Sequence, residues 1–124
     1  MIDKNKLFNA VDRCRDDIIT LGDRLFYCPE LGFKEFKTAE IIKEYLDSVG
    51  IPYESEIGIT GIKATLGEGT GYHIAFVCDM DALPGRSFTG QIHSCGHSIQ
   101  TAVALSAAKI LAETGLLDNT DVRV

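Results

Sequence analysis

The sequence predicts an α/β fold, a layered α/β/α arrangement around a mixed central sheet. Three observations predict it. Two N-terminal stretches carry apolar residues at helical period, and from Pro52 onward the period shortens to that of strands. The run His73–Cys78 is almost continuously apolar, which reads as a strand buried on both faces at the centre of such a sheet. An Ala- and Leu-rich stretch follows that is apolar most of the way round, as a buried helix is. The order α-α-β-β-β-loop-α-β then alternates helices with strands toward the C-terminus.

Each element has its own warrant. Leu7, Val11, Cys14, Ile18, Leu21 and Leu25 recur at steps of four and three, so a helix is expected over about 4–27. Pro29 stops it, because the residue before a proline is pushed out of the α region. Ala39, Ile42, Leu46 and Val49 form the buried stripe of a second helix over about 36–49. Gly50 fits the position just past its end, and Pro52 prevents continuation. Short strands follow over about 53–57 and 61–66. Gly67-Glu68-Gly69-Thr70-Gly71 reads as a turn rather than a phosphate loop, since a phosphate loop opens a helix and here a strand follows. That strand is expected over about 73–78. A long loop spans 79–97. A third helix is expected over about 99–114, closed by Gly115, and a last strand over about 120–124.

Composition bounds the function. The chain has 124 residues, with 12 Lys+Arg against 18 Asp+Glu and a net charge of −6. Hydrophobic residues make up 45% and charged residues 24%, ordinary for one soluble domain over 1–124. The acidic balance and the absence of a basic run exclude nucleic acid and anionic membrane as expected partners. No stretch approaches a membrane span, and the polar N-terminus leads into an amphipathic segment rather than a signal peptide. Cys14, Cys28, Cys78 and Cys95 are widely spaced with no CxxC pair. That usage suits a reducing compartment, so a cytoplasmic protein is expected.

The long loop holds most of the chemistry. Asp79 and Asp81 stand just past the end of a strand, where sites form in open α/β sheets. Turn carboxylates that only satisfy backbone amides would look the same. In His93-Ser94-Cys95-Gly96-His97, an extended backbone would place His93, Cys95 and His97 on one face. Two imidazoles and a thiol are good zinc ligands, although a closed zinc site needs four and no second cluster is visible. A polar loop with an incidental thiol is the plainer alternative. Cys14 and Cys78 read as packing residues. Cys28 follows a helix C-terminus, whose negative partial charge disfavours a thiolate. His73 reads as structural.

Taken together, the ordered motifs resemble the N-terminal part of the M20 metallopeptidase family, in its N-acyl amino acid amidohydrolase branch. Pro29-Glu30-Leu31-Gly32-Phe33 is similar to that family's Pro-Glu-Leu-Gly segment. Gly58-Ile59-Thr60-Gly61 with Ala64-Thr65-Leu66 is similar to its Gly-Thr-Gly…Ala-x-Leu hairpin. Asp79-Met80-Asp81-Ala82-Leu83-Pro84 and His93-Ser94-Cys95-Gly96-His97 match its two signatures.

The resemblance implies two adjacent divalent metal ions (Zn, Mn or Co), with Cys95 and His97 as ligands. It implies Asp81 as the catalytic carboxylate that orients the site, Asp79 beside it, and His93 as a flanking or alternative ligand. The implied reaction is hydrolysis of an amide in an N-acyl amino acid or small peptide, with a glutamate as general base. Three positions depart from the pattern: Ser98 replaces an Asp, Gln100 a His and Cys28 a His. Family members are several-fold longer, and their remaining ligands, Glu-Glu pair and dimerisation domain lie beyond the matching segment. The expectation is therefore a truncated domain, inactive alone, that forms a homodimer or takes a C-terminal partner chain. A non-catalytic, self-associating or metal-binding protein of the same descent is the alternative.

Overall fold

The computed structural model describes residues 3–67, 72–85, 90–115 and 120–123. Four helices, α1 (Lys4–Arg13), α2 (Arg15–Phe26), α3 (Phe36–Ser48) and α4 (His97–Thr114), accompany six strands. The strands are β1 (Tyr53–Ile57), β2 (Gly61–Leu66), β3 (Tyr72–Ala75), β4 (Leu83–Pro84), β5 (Gln91–Ile92) and β6 (Thr120–Arg123). Most of the Gly67–Gly71 turn, and Val124, lie outside the described residues.

The helix expected over 4–27 is two helices that meet at Cys14. The Cys14 N–H is shared between Ala10 O and Val11 O, both at 3.1 Å, and its ψ is near 0°. Sharing one donor between i−3 and i−4 carbonyls loosens a single turn. The Ile18 N–H still donates to Cys14 O at 2.9 Å, so the chain continues as helix. The apolar stripe consequently serves two clusters. Ala10 and Cys14 pack with Ile110 of α4, while Leu21 and Leu25 join the main core. Val11, expected on the stripe, stays 41% exposed. At the start of α1, Asp3 Oδ1 accepts the N–H groups of Asn5 (3.0 Å) and Lys6 (3.3 Å), the usual remedy for unpaired helix donors. The Lys6 ammonium donates to Thr114 O at the C-terminal end of α4, 2.7 Å away, where cations are favoured.

The main sheet has the order β1-β2-β6-β3 and is mixed. β1 and β2 form an antiparallel hairpin, β6 runs antiparallel to β2, and β3 runs parallel to β6. Ala64 and Leu66 of β2 bury against Ile42, Tyr45 and Leu46 of α3 and Ala102, Leu105 and Ala108 of α4. α4 starts at His97, two residues before the expected start, and it is not buried all round. Ile99 and Val103, one turn apart, stay 63% and 58% exposed. The loop over 79–97 contains a small second sheet, in which Leu83 pairs with Ile92 and Pro84 with Gln91.

The largest correction concerns the run 73–78. It is a strand only as far as Ala75, and it is not buried on both faces. Ile74 is 47% exposed, Phe76 43% and Val77 90%. The reason is pairing. Ala75 is matched with Arg123, the last described residue of β6, so Phe76–Cys78 have no ladder partner among the described residues. No helix among the described residues is long and apolar enough to cross a membrane.

Candidate functional site

The site is built where three segments meet: the loop after α2, the loop after β3 and the start of α4. Glu30 locks the first of these. Its Oε2 accepts the Thr38 N–H (2.8 Å) and the Thr38 hydroxyl (2.9 Å), and its Oε1 accepts the Lys37 N–H (3.2 Å). α3 has no capping side chain of its own at Glu35, so Glu30 satisfies its first donors from outside. The Glu30 carbonyl in turn accepts the Ala82 N–H at 2.7 Å, and Leu31 bridges Ala82 in parallel. Asp81 is thus held by backbone to the Pro29–Leu31 loop. A second buried tie joins α3 to the β1–β2 turn, where the Thr60 hydroxyl donates to Glu35 Oε2 at 2.7 Å.

The start of α4 supplies the histidine. Gly96 sits in the left-handed region at φ +83°, a conformation glycine adopts without strain. Its carbonyl accepts the Ile99 and Gln100 N–H groups at 3.1 and 3.0 Å, which begins the helix at His97. His97 Nδ1 lies 2.7 Å from Asp81 Oδ1 and 3.0 Å from Asp81 O, and its Nε2 lies 3.8 Å from Asp79 Oδ2. The ring is therefore fixed through one nitrogen while the other faces the second aspartate. Thr101, 2% exposed, donates its hydroxyl to Asp79 O at 3.0 Å and ties this loop to α4.

Asp79, Asp81 and His97 are brought together. The turn at Gly96 ends the extended geometry that would have put 93, 95 and 97 on one face. Cys95 is exposed and carries a free thiol. His93 turns inward beside Phe26, with ring centroids 6.5 Å apart. Among the described residues its two buried ring nitrogens meet no hydrogen-bond partner. Cys28 is half-buried, its sulfur 3.9 Å from the Thr38 hydroxyl. Burial pushes the Cys78 thiol up.

Sequence reading missed Glu30, Thr38 and Thr101 as the groups that position the site. The available signal was an acidic residue ahead of a helix start. The five residues that separate Glu30 from Phe36 hide it, because the loop must fold back before the carboxylate can reach. We expect Glu30→Ala to lose about 1–3 kcal/mol, the range for unpairing charge-assisted bonds and a helix N-terminus. Urea unfolding checks this, and a loss within error of zero would remove Glu30 from the scaffold.

No family model matches the chain. Individual proteins do. An IAA-amino acid hydrolase of Arabidopsis thaliana (ILR1-like 5) is 34% identical over 107 residues, which cover 79% of this chain and 25% of its own length. An N-acyl-L-amino acid amidohydrolase of Geobacillus stearothermophilus is 35% identical over 120 residues, covering 89% of this chain and 32% of its own. The crystal structure of a Bacillus subtilis dinuclear metal binding peptidase from the M20 family superposes with a TM-score of 0.74 at 28% identity. The match covers 98% of this chain and 35% of that one. The chain is a partial M20 domain.

It spans about a quarter to a third of the length of these relatives. The Asp79–Asp81 segment of this M20 domain and its His97 occupy one corner of the fold. Among the described residues no three His, Cys, Asp or Glu side chains converge as a bound ion requires. One of the positions that depart from the M20 pattern, Ser98, directly follows His97. Ser98 is 3% exposed, and its hydroxyl has no partner among the described residues. An aspartate there would have offered His97 or its neighbours a charged acceptor.

Proposed function

We propose that this chain carries one part of the hydrolytic site of an M20-type amidohydrolase acting on N-acyl amino acids or small peptides, and that it is inactive alone. The observation that supports this is the Asp81–His97 pair at 2.7 Å, with the free ring nitrogen aimed toward Asp79. In this reading Asp81 fixes the tautomer and angle of the His97 ring. Cys95 and His97 are what the chain contributes to a divalent ion (Zn, Mn or Co) held jointly with further polypeptide. The general base is contributed from outside the chain. The free, widely spaced cysteines support a cytoplasmic location.

Two measurements test this. The purified chain, with added Zn²⁺, Mn²⁺ or Co²⁺, should not hydrolyse N-acetyl or N-benzoyl amino acids above a metal-only blank. Metal-dependent turnover lost in His97→Ala would overturn its inactivity. Fusing the unmatched remainder of the Geobacillus amidohydrolase after Val124 should restore metal-dependent hydrolysis, and His97→Ala should abolish it. A folded chimera whose activity ignores His97→Ala would sink the assignment of the site. A second reading, a metal-binding protein without catalysis, would instead show tight stoichiometric zinc lost in both Cys95→Ala and His93→Ala.

A further inference from the structure

A cleft of about 540 Å³ opens where the end of α2, the start of α3 and β5 meet. Its apolar part is Tyr27, Pro29 and Leu31, and its polar part includes Lys34, Lys37 and Gln91. That size and that mixture, an apolar wall with a few polar groups, suit a small organic molecule. The charges choose its sign. The chain has 18 Asp+Glu against 12 Lys+Arg, so an exposed lysine has carboxylates to meet. Lys43 pairs with Glu40, Lys63 with Glu54 and Lys109 with Asp17. Lys34 and Lys37 have no acidic partner among the described residues, and both line the cleft. Glu30 lines it too, but its carboxylate oxygens already accept the Lys37 N–H and the two Thr38 donors. The cleft therefore presents two free ammonium groups against one carboxylate that is engaged elsewhere.

We propose that this cleft binds a small organic carboxylate, with its anion at Lys34 and Lys37 and its apolar body against Tyr27, Pro29 and Leu31. The two lysines flank the first residue of α3, Phe36. Their ammonium groups hold a carboxylate as point charges, without the fixed fork of an arginine. The Gln91 amide supplies a further donor from β5. A bare phosphate would meet the same charges but would leave the apolar wall in water, so the apolar body is part of what the cleft selects. The site is separate from the hydrolytic one. Asp79, Asp81 and His97 do not line the cleft. The proposal therefore stands independently of the M20-type reading.

The test adds phenylacetate, without metal, to the purified full chain and follows its backbone amides by NMR. Saturable shifts at Lys34, Lys37 and Gln91 with a millimolar Kd are expected. Phenylacetamide keeps the ring and loses the charge, and it should bind about fivefold more weakly or worse. Phenylacetate should lose about as much on the Lys34→Gln, Lys37→Gln double variant. Both lysines are exposed, so that variant keeps its fold, which circular dichroism checks. Inorganic phosphate should bind more weakly than phenylacetate, and His97→Ala should leave phenylacetate binding unchanged. No saturable shifts at those residues, equal binding of phenylacetamide, or an affinity indifferent to the loss of both lysines would overturn the proposal. Phosphate that binds as tightly as phenylacetate would overturn the choice of ligand. Loss of binding in His97→Ala would overturn the separation from the hydrolytic site. The titration reads binding alone, so its failure leaves the hydrolytic reading standing, and an inactive chimera fails that reading without touching this one.

Discussion

Gly61→Ala is expected to cost this domain about 2–3 kcal/mol, toward the upper end for overpacking. A Cβ added at Gly61 would stand 2.4 Å from the carbonyl oxygen of Ile57, its partner in the hairpin. That atom belongs to the backbone, so no side chain can swing away, and the hairpin itself must open. The turn has little slack. Glu56, Gly58 and Ile59 already hold φ values of 60°, 57° and 97°, and a β-branched residue in that region is a genuine outlier. The loss is a large share of the roughly 5–15 kcal/mol that holds a domain together. Urea unfolding followed by circular dichroism measures it. A Gly61→Ala protein with an unchanged midpoint would show that the hairpin is built differently.

Leu46→Ala carries the other large effect, about 2–5 kcal/mol. Leu46 has no solvent exposure and belongs to the core that α2, α3, β2 and α4 share. Truncation removes apolar atoms of α3 from a core that four elements share and leaves a cavity that elements held from several sides cannot fully collapse. With a urea slope of about 2 kcal/mol per molar, the midpoint should fall by about 1–2.5 M. Leu46→Met, which keeps volume, should cost less than about 1.5 kcal/mol. Equal losses for the two variants would mean that burial at this position is not what the core depends on.

Much of the fold was legible because its cause is local. The α3 stripe of Ala39, Ile42 and Leu46, its exit at Gly50 and the β1–β2 hairpin follow from period and turn chemistry within a few residues. The failures share one feature: each depends on a partner distant in sequence. Cys14 fits a continuous helical stripe, and only the packing of Ala10 and Cys14 on Ile110 accompanies the break there. His73–Cys78 is apolar enough for a central strand, yet strand identity requires a ladder partner, and β6 supplies one only to Ala75. Within the site, Asp79, Asp81 and His97 were legible as residue types in a strand-end loop. Their grouping was not, because His97 reaches Asp81 through a left-handed turn at Gly96 and a backbone tie from Glu30 to Ala82.

By itself, the sequence determined the class of fold, the family and the residues capable of chemistry, since these rest on composition, short-range period and ordered motifs. The tertiary structure alone decided that His97 meets Asp81 through its Nδ1. It also decided that Glu30 is the brace. Those outcomes are fixed by which backbone donors and apolar faces find partners in three dimensions, and adjacency along the chain does not encode that.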